Sequence, residues 1–192
     1  MNASKQIQID ALAQEIIDMN VCPDLKGQAI QLVIGDGNPN ADIVFIGEAP
    51  GKNEDIQGKP FVGAAGKFLN VMLEAAGMER SDVYITNIVK YRPPENRDPT
   101  PDEKAAFLPY LLRQIEIIDP KVVITLGRHS MEYFLPDAKI GEVHGQPVHI
   151  TTGAKETLLI PLFHPAAALY NGGLRQTLID DFLRVPEIIT RQ

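Results

Sequence analysis

The chain has 192 residues, of which 44% are hydrophobic and 22% charged, the composition of a globular protein of one domain. Its single cysteine excludes an internal disulfide and a metal site built from cysteines alone, and it fits a reducing cytoplasm. A net charge of −7 excludes a general attraction to nucleic acid, and the lack of an apolar run of about 18 residues excludes a transmembrane helix. We therefore expect one cytoplasmic domain over residues 1–192, with no signal peptide.

The first half of the chain alternates predicted helices and strands. Residues 4–19 are predicted to form a helix that Ser4 caps, with an apolar face made of Ile9, Leu12, Ile16 and Met19. The β-branched and apolar runs that follow predict strands at 31–35, 42–47 and 83–89, with a helix at 64–77 that Gly77 ends.

The second half continues this alternation. "TPDE" at 100–103 is typical of a helix start, because Thr100 caps, Pro101 occupies the first helical position and Glu103 completes a capping box. This helix is predicted to reach Asp119, with a kink at Pro109. A strand at 121–127, a short helix at 128–135, a hairpin within 147–164 and a closing helix at 174–189 complete the chain. Such alternation predicts an α/β fold with a largely parallel sheet, whose ligands bind beyond the carboxyl ends of the strands.

One polar loop follows the buried strand at 42–47. In "GEAPGKNEDIQGKPFVGAAG" (47–66), Gly47, Pro50 and Gly51 form a tight turn that a ligand can approach closely, and Glu48 lies in this turn. Phe61 follows a bend and can present an aromatic face. A surface loop with an exposed carboxylate fits these features equally well. A phosphate-binding loop is disfavoured, because neither Walker A nor G-x-G-x-x-G spacing is present.

A second group follows the strand at 83–89. Asn87 lies within an apolar strand, where its amide is costly unless its hydrogen bonds are met, either by neighbouring backbone or by a planar ligand. Lys90, Arg92 and Arg97 form a basic stretch that suits phosphates, although ordinary solvated charge explains it as well.

A third group ends the hairpin. His164 follows an apolar strand, and Pro165 restricts its backbone, while the other three histidines lack such neighbours and are interpreted as structural. Glu48, Phe61, Asn87 and His164 are thereby predicted to meet at one edge of the sheet. An aromatic ring that stacks, an amide that reads a base edge, a histidine and a carboxylate suit hydrolysis of an N-glycosidic bond through an oxocarbenium-like transition state.

The chain resembles the family 4 uracil-DNA glycosylases in "GEAPGKNEDIQGKPFVGAAG", "VYITNIVKYRPPENRDPTPDE" and "FHP", which occur in this order. The resemblance covers nearly the whole chain from about residue 19. It implies a three-layer α/β/α fold with a central four-stranded, largely parallel sheet and a small hairpin. It also implies excision of uracil from deaminated DNA in base excision repair.

The resemblance assigns a role to each matching residue. Phe61 corresponds to the aromatic that stacks on uracil and Asn87 to the amide that reads it, with Gly47, Ala49, Pro50 and Gly51 around the base. His164 corresponds to the histidine that hydrogen-bonds uracil O2, and Glu48 to the carboxylate that orients water or stabilises the sugar cation. "HPAAAL" corresponds to the loop that enters the minor groove, with Leu169 as the wedge. The DNA contacts implied in this way are Lys90, Arg92, Arg97, Pro165, Ala166 and Leu169.

The chain departs from this family at the cluster ligands. Family 4 members share four cysteines that hold a four-iron, four-sulfur cluster, and these positions correspond here to Met19, Cys22, Tyr91 and Phe107. We therefore expect no cluster and no other metal, with packing in its place. A second departure is Tyr170, where many relatives carry an arginine.

The resulting hypothesis is a monomeric, monofunctional uracil-DNA glycosylase that binds uracil-containing DNA, does not bind membranes and leaves an abasic site. A glycosylase for another deaminated or damaged base, such as hypoxanthine, uses the same residues. A catalytically inactive DNA-binding member of the fold is a further alternative. A nucleotide-binding α/β protein is disfavoured because no phosphate motif is present.

Overall fold

A six-stranded mixed sheet forms the centre of the protein in the computed structural model, which describes residues 4–152 and 155–190. Its strands are β1 (Asp36–Gly37), β2 (Ile43–Gly47), β3 (Tyr84–Asn87), β4 (Val122–Leu126), β5 (Val148–Thr152) and β6 (Lys155–Leu162). In the order β1-β3-β2-β4-β6-β5, the four central strands run parallel and the two edge strands are antiparallel to their neighbours. The predicted α/β fold with four parallel strands is confirmed, and the predicted hairpin, β5–β6, belongs to the same sheet.

Helices cover both faces of this sheet. They are α1 (Lys5–Asp18), α2 (Pro23–Lys26), α3 (Lys52–Gln57), α4 (Ala64–Ala75), α5 (Pro101–Ile118), α6 (Arg128–Met131), α7 (Ile140–Val143), α8 (Ala167–Tyr170) and α9 (Gly173–Thr190). The predicted capping box of α5 is present, since Thr100 accepts from the Glu103 amide and Glu103 accepts from the Thr100 amide. Among residues 4–152 and 155–190, no helix is both long and apolar enough to span a bilayer.

Alternating strand residues build a core on each face of the sheet, because successive side chains of a strand point to opposite sides. Phe45 of β2 points toward α4 and α9, where its ring stacks on that of Phe182 at a centroid distance of 5.6 Å. Val44 and Ile46 point the other way, into the cluster that contains Ile9 and Ile16 of α1 and the buried apolar residues of α5. The sheet is therefore the middle layer of three, as the resemblance to the family 4 enzymes implies.

Two local predictions are wrong. Residues 31–35 form no strand, because the carbonyl of Ile34 accepts hydrogen bonds from the side chains of Thr86 (2.8 Å) and Gln114 (2.9 Å) rather than from a strand backbone. Met19 is 68% exposed and follows the last residue of α1, so it does not contribute to the buried face of that helix.

Candidate active site

A cavity of about 570 Å³ opens beyond the carboxyl ends of β2, β3 and β6. This volume lies within the range of small-molecule sites, about 300–1,000 Å³. Asn87 is the last residue of β3, and the other predicted residues that line the cavity follow the ends of these three strands: Glu48, Ala49, Pro50, Gly51, Phe61, Arg97, His164, Ala166 and Leu169. The structure therefore brings together side chains that the sequence separates by more than 100 positions.

Gly47, which does not itself line the cavity, lies against two side chains that do, those of Asn87 and Phe61. The strand register pairs Gly47 with Asn87. A β-carbon at Gly47 would lie 2.4 Å from Asn87 Oδ1 and 2.6 Å from Phe61 Cζ. Both distances are shorter than non-bonded atoms approach a β-carbon. Only glycine therefore allows the amide and the aromatic ring to lie against the same backbone atom.

The amide of Asn87 has no partner within the part of the chain that the structure describes. The residue is 2% exposed, and no described residue donates a hydrogen bond to its side chain or accepts one from it. Because Asn87 lines the cavity, the donor and acceptor atoms of its amide are available to a ligand that enters it. This observation favours a planar ligand over the alternative of neighbouring backbone partners.

His164 is held in one tautomer beside Phe61. Its Nδ1 accepts a hydrogen bond from the Ala166 amide at 3.1 Å, which leaves the hydrogen of the neutral ring on Nε2. Burial, followed by the nearby His129, lowers the pKa of His164 to about 4, so the ring is neutral at pH 7. The centroids of the Phe61 and His164 rings are 5.6 Å apart.

Glu48 is a carboxyl group with a raised pKa and an incomplete hydrogen-bond set. Burial is the main cause that raises its pKa to about 7, with Asp98 as the next. Its Oε1 is buried and has no hydrogen-bond partner among residues 4–152 and 155–190. His129, which sequence analysis interprets as structural, places Nδ1 3.8 Å from this oxygen. A signal that could have identified His129 is its position in α6, the helix that follows β4 at the same edge of the sheet.

Three of these groups offer atoms that a metal ion can use. Glu48, Asp98 and His129 each contribute one ligand atom within 4.8 Å of the other two. The charges around His129 disfavour a cation, because Lys104 Nζ lies 3.3 Å from Nδ1 and Arg128 Nε lies 3.2 Å from Nε2. Both ring nitrogens therefore face positive groups.

Three of the six predicted DNA contacts line the cavity, namely Arg97, Ala166 and Leu169, and the other three do not. Leu169 (47% exposed) lines the cavity mouth beside Tyr170 (91% exposed), a lining residue that sequence analysis noted only as a departure. Arg97 also lines the mouth, but its guanidinium forms a two-pronged ion pair with Glu103 at 2.8 and 2.6 Å. Arg92, which is half-buried, donates to Asn96 Oδ1.

The prediction that Lys90 contacts DNA is wrong, because Lys90 is fully buried. Its ammonium donates to Thr86 Oγ1 (2.6 Å), the Asn87 carbonyl (2.8 Å) and Gln114 Oε1 (2.7 Å). Burial lowers its pKa to about 7. Lys90 therefore braces the strand that carries Asn87. Pro165 is likewise buried and does not line the cavity, so it does not present a surface to DNA.

The four positions that correspond to cluster ligands do not form a cluster site. Tyr91 and Phe107 are buried and pack edge to face, with ring centroids 6.0 Å apart. Cys22 is half-buried, and its Sγ lies 4.0 Å from the Glu103 carbonyl. Met19 is exposed, so the expectation that all three substitutes fill this space by packing is wrong for Met19. One thiol among these residues does not fit a group that four thiolates hold.

Comparison with known proteins agrees with the geometry. Residues 34–185 match the model of the uracil DNA glycosylase superfamily. The chain is 47% identical over 188 residues to the type-4 uracil-DNA glycosylase of Sulfurisphaera tokodaii, covering 94% of this chain and 84% of that protein. It is 47% identical to the type-4 enzyme of Saccharolobus solfataricus (95% and 87% covered) and 43% identical to that of Archaeoglobus fulgidus (94% and 92% covered).

Proposed function

Because this chain belongs to the uracil-DNA glycosylase superfamily, we propose that it is a monofunctional uracil-DNA glycosylase that hydrolyses the N-glycosidic bond of a flipped-out uracil and leaves an abasic site. The observation that carries this proposal is the unpartnered Asn87 amide in the wall of a cavity that Phe61 and His164 also line. An amide of this kind offers a donor and an acceptor, which the O4 and N3–H groups of uracil complement.

Each of the four residues has a defined role in this reaction. Phe61 stacks on the base, and Asn87 bonds its O4 and N3–H edge. As the bond between N1 and the sugar breaks, its electron pair moves onto the base, and Nε2–H of neutral His164 donates to O2, where negative charge builds. Water attacks the sugar cation. Glu48, in its carboxylate form, accepts a hydrogen bond from this water and then its proton, and its negative charge stabilises the cation.

We further propose that the enzyme works without an iron–sulfur cluster. The packing of Tyr91 against Phe107 and the single cysteine of the chain support this. Protein purified without oxygen should contain no iron and absorb no visible light. Stoichiometric iron with visible absorption would contradict the proposal. That the chain forms a single domain and a monomer stays a prediction.

The activity is tested on an oligonucleotide with one uracil, in single- and double-stranded form. Alkali after incubation should cleave the strand at the abasic site. His164→Ala should reduce the single-turnover rate by about 10²–10³, the usual effect of losing one preorganised donor. His149→Ala is the matched control, since His149 is an exposed histidine of β5, and its rate should stay within twofold of wild type.

The outcomes separate the alternatives. No cleavage of either uracil substrate contradicts the proposal. Release of hypoxanthine or a damaged pyrimidine, but not uracil, in a panel of bases would assign the same cavity to another base. Tight binding of uracil DNA without release of the base would favour an inactive binding protein.

A further inference from the structure

The segment that carries Phe61 is held by a cation from outside the cavity. Arg80 follows α4, and its Nη1 donates to the Phe61 carbonyl at 3.1 Å, while Nη2 donates to the Pro60 carbonyl at 2.5 Å. The guanidinium also forms a salt bridge with Asp36, whose Oδ2 lies 3.8 Å from Nε. Arg80 is half-buried and does not line the cavity. It therefore reaches the site only through the main chain of residues 60 and 61.

An anion holds the next two residues of the same segment. Glu54 Oε1 accepts hydrogen bonds from the amides of Val62 (2.9 Å) and Gly63 (2.8 Å). Four consecutive residues, 60–63, thus each have one main-chain group bonded to a charged side chain. Hydrogen bonds to charged groups are stronger than neutral ones, so this segment has little freedom to move.

The conformation of Phe61 explains why the segment needs such support. Its φ is +51°, in the left-handed region that residues with a side chain rarely adopt. Strained residues of this kind persist where surrounding contacts over-determine them, and they cluster at functional sites. The first turn of α4 also packs against this residue. A β-carbon at Gly66 would lie 1.8 Å from the Phe61 carbonyl oxygen, so the main chain of Phe61 lies directly against the helix backbone.

We propose that Arg80 and Glu54 are positioning residues that hold the Phe61 ring in place to stack on the flipped base. This inference rests on the proposed function, because stacking matters only if a base enters the cavity. Arg80 gives the cleaner test, since Glu54 also lines the cavity. The loss of Arg80 should therefore weaken contacts with the base while leaving contacts with the DNA backbone unchanged.

The test compares Arg80→Met with Arg113→Met. Arg113 is a matched control, because it also forms two hydrogen bonds with its guanidinium, to Glu15 on the surface of α1. Arg80→Met should reduce the single-turnover rate on uracil DNA at least tenfold and raise the concentration of free uracil that inhibits by a similar factor. Affinity for DNA with a tetrahydrofuran abasic site should stay within twofold. Arg113→Met should change none of these values.

A double-mutant cycle separates positioning from a general structural role. If Arg80 acts through the ring, Arg80→Met should change the rate less than twofold further in a Phe61→Leu background. An equal loss in both backgrounds, or a wild-type inhibition constant for uracil in Arg80→Met, overturns the inference. If Arg80→Met does not fold, Arg80→Lys, which keeps the charge and one donor group, is measured in the same way. Absence of excision by wild type contradicts the proposed function instead.

Discussion

Replacement of Glu48 by glutamine tests the central electrostatic feature of the site. Its pKa is about 7, so ionisation is about 10% complete at pH 6 and about 90% complete at pH 8. If the reaction uses the carboxylate, the single-turnover rate of wild type should rise about tenfold over this interval. Glu48→Gln has no such ionisation, and its lower rate should be independent of pH between these values.

The assay uses enzyme in excess over a single-uracil oligonucleotide, so that product release does not contribute to the rate. Several groups face Glu48 and must be controlled: Asp98 and Glu132 raise its pKa, and Lys104 and Arg128 lower it. Two other groups with shifted pKa values need a control, because burial lowers the pKa of Lys90 to about 7 and also lowers the pKa of His129. Lys90→Met and His129→Asn should both keep the rise. A flat wild-type profile, or a tenfold rise in Glu48→Gln, would refute the reasoning.

The same pKa predicts an effect on stability. The unfolded chain ionises Glu48 near 4.5, whereas the folded protein retains the proton until about 7, so folding loses stability as the pH rises between these values. The loss is about 3 kcal/mol without solvent screening and about 1–2 kcal/mol for this partly exposed group. The thermal midpoint of Glu48→Gln should therefore increase relative to wild type from pH 5 to pH 8. An unchanged difference between the two proteins would contradict the raised pKa.

Four further changes test other parts of the structure. Gly47→Ala places a carbon 2.4 Å from Asn87 Oδ1, so excision should fall at least 100-fold, and the free energy of unfolding should fall by about 1–3 kcal/mol, as measured by chemical denaturation. Cys22→Ser should leave the excision rate within twofold, since this half-buried thiol has no role in the site; a larger loss than stability explains would contradict that. Lys90→Met should leave the dependence of DNA affinity on salt unchanged, because the buried ammonium does not meet phosphates. Tyr170→Arg should add one phosphate contact, so the slope of log affinity against log salt concentration should become steeper by about 0.9. An unchanged slope would place position 170 away from the DNA backbone.

Most of the fold could be predicted because its signals are local. Continuous apolar runs mark β2 and β4, and the capping box at Thr100 marks the start of α5. The prediction failed at residues 31–35, where the apolar pattern of a strand is present but the Ile34 carbonyl bonds to side chains 52 and 80 positions away. Nothing in the local sequence reports such distant partners.

The candidate site could be predicted in part for a similar reason. The rule that ligands bind at the carboxyl ends of parallel strands brought Glu48, Asn87 and His164 to one edge of the sheet. Lys90 was misplaced because a lysine near a site usually binds phosphate, and only the structure reveals its buried acceptors. Arg80 was missed because it acts through main-chain carbonyls, which impose no pattern on the sequence that supplies them.

The hydrogen bond from the Ala166 amide to His164 Nδ1 limits how the enzyme can discriminate uracil from cytosine. It leaves the neutral ring only a donor to offer, and a donor suits the O2 carbonyl that uracil, cytosine and thymine share. In the proposed role, His164 therefore assists the release of uracil, cytosine and thymine alike. Protection of cytosine, the base that intact DNA holds in quantity, falls to Asn87, which reads the edge where cytosine and uracil differ. A change in the discrimination between uracil and cytosine is therefore to be sought in that amide, and a change of rate in the imidazole.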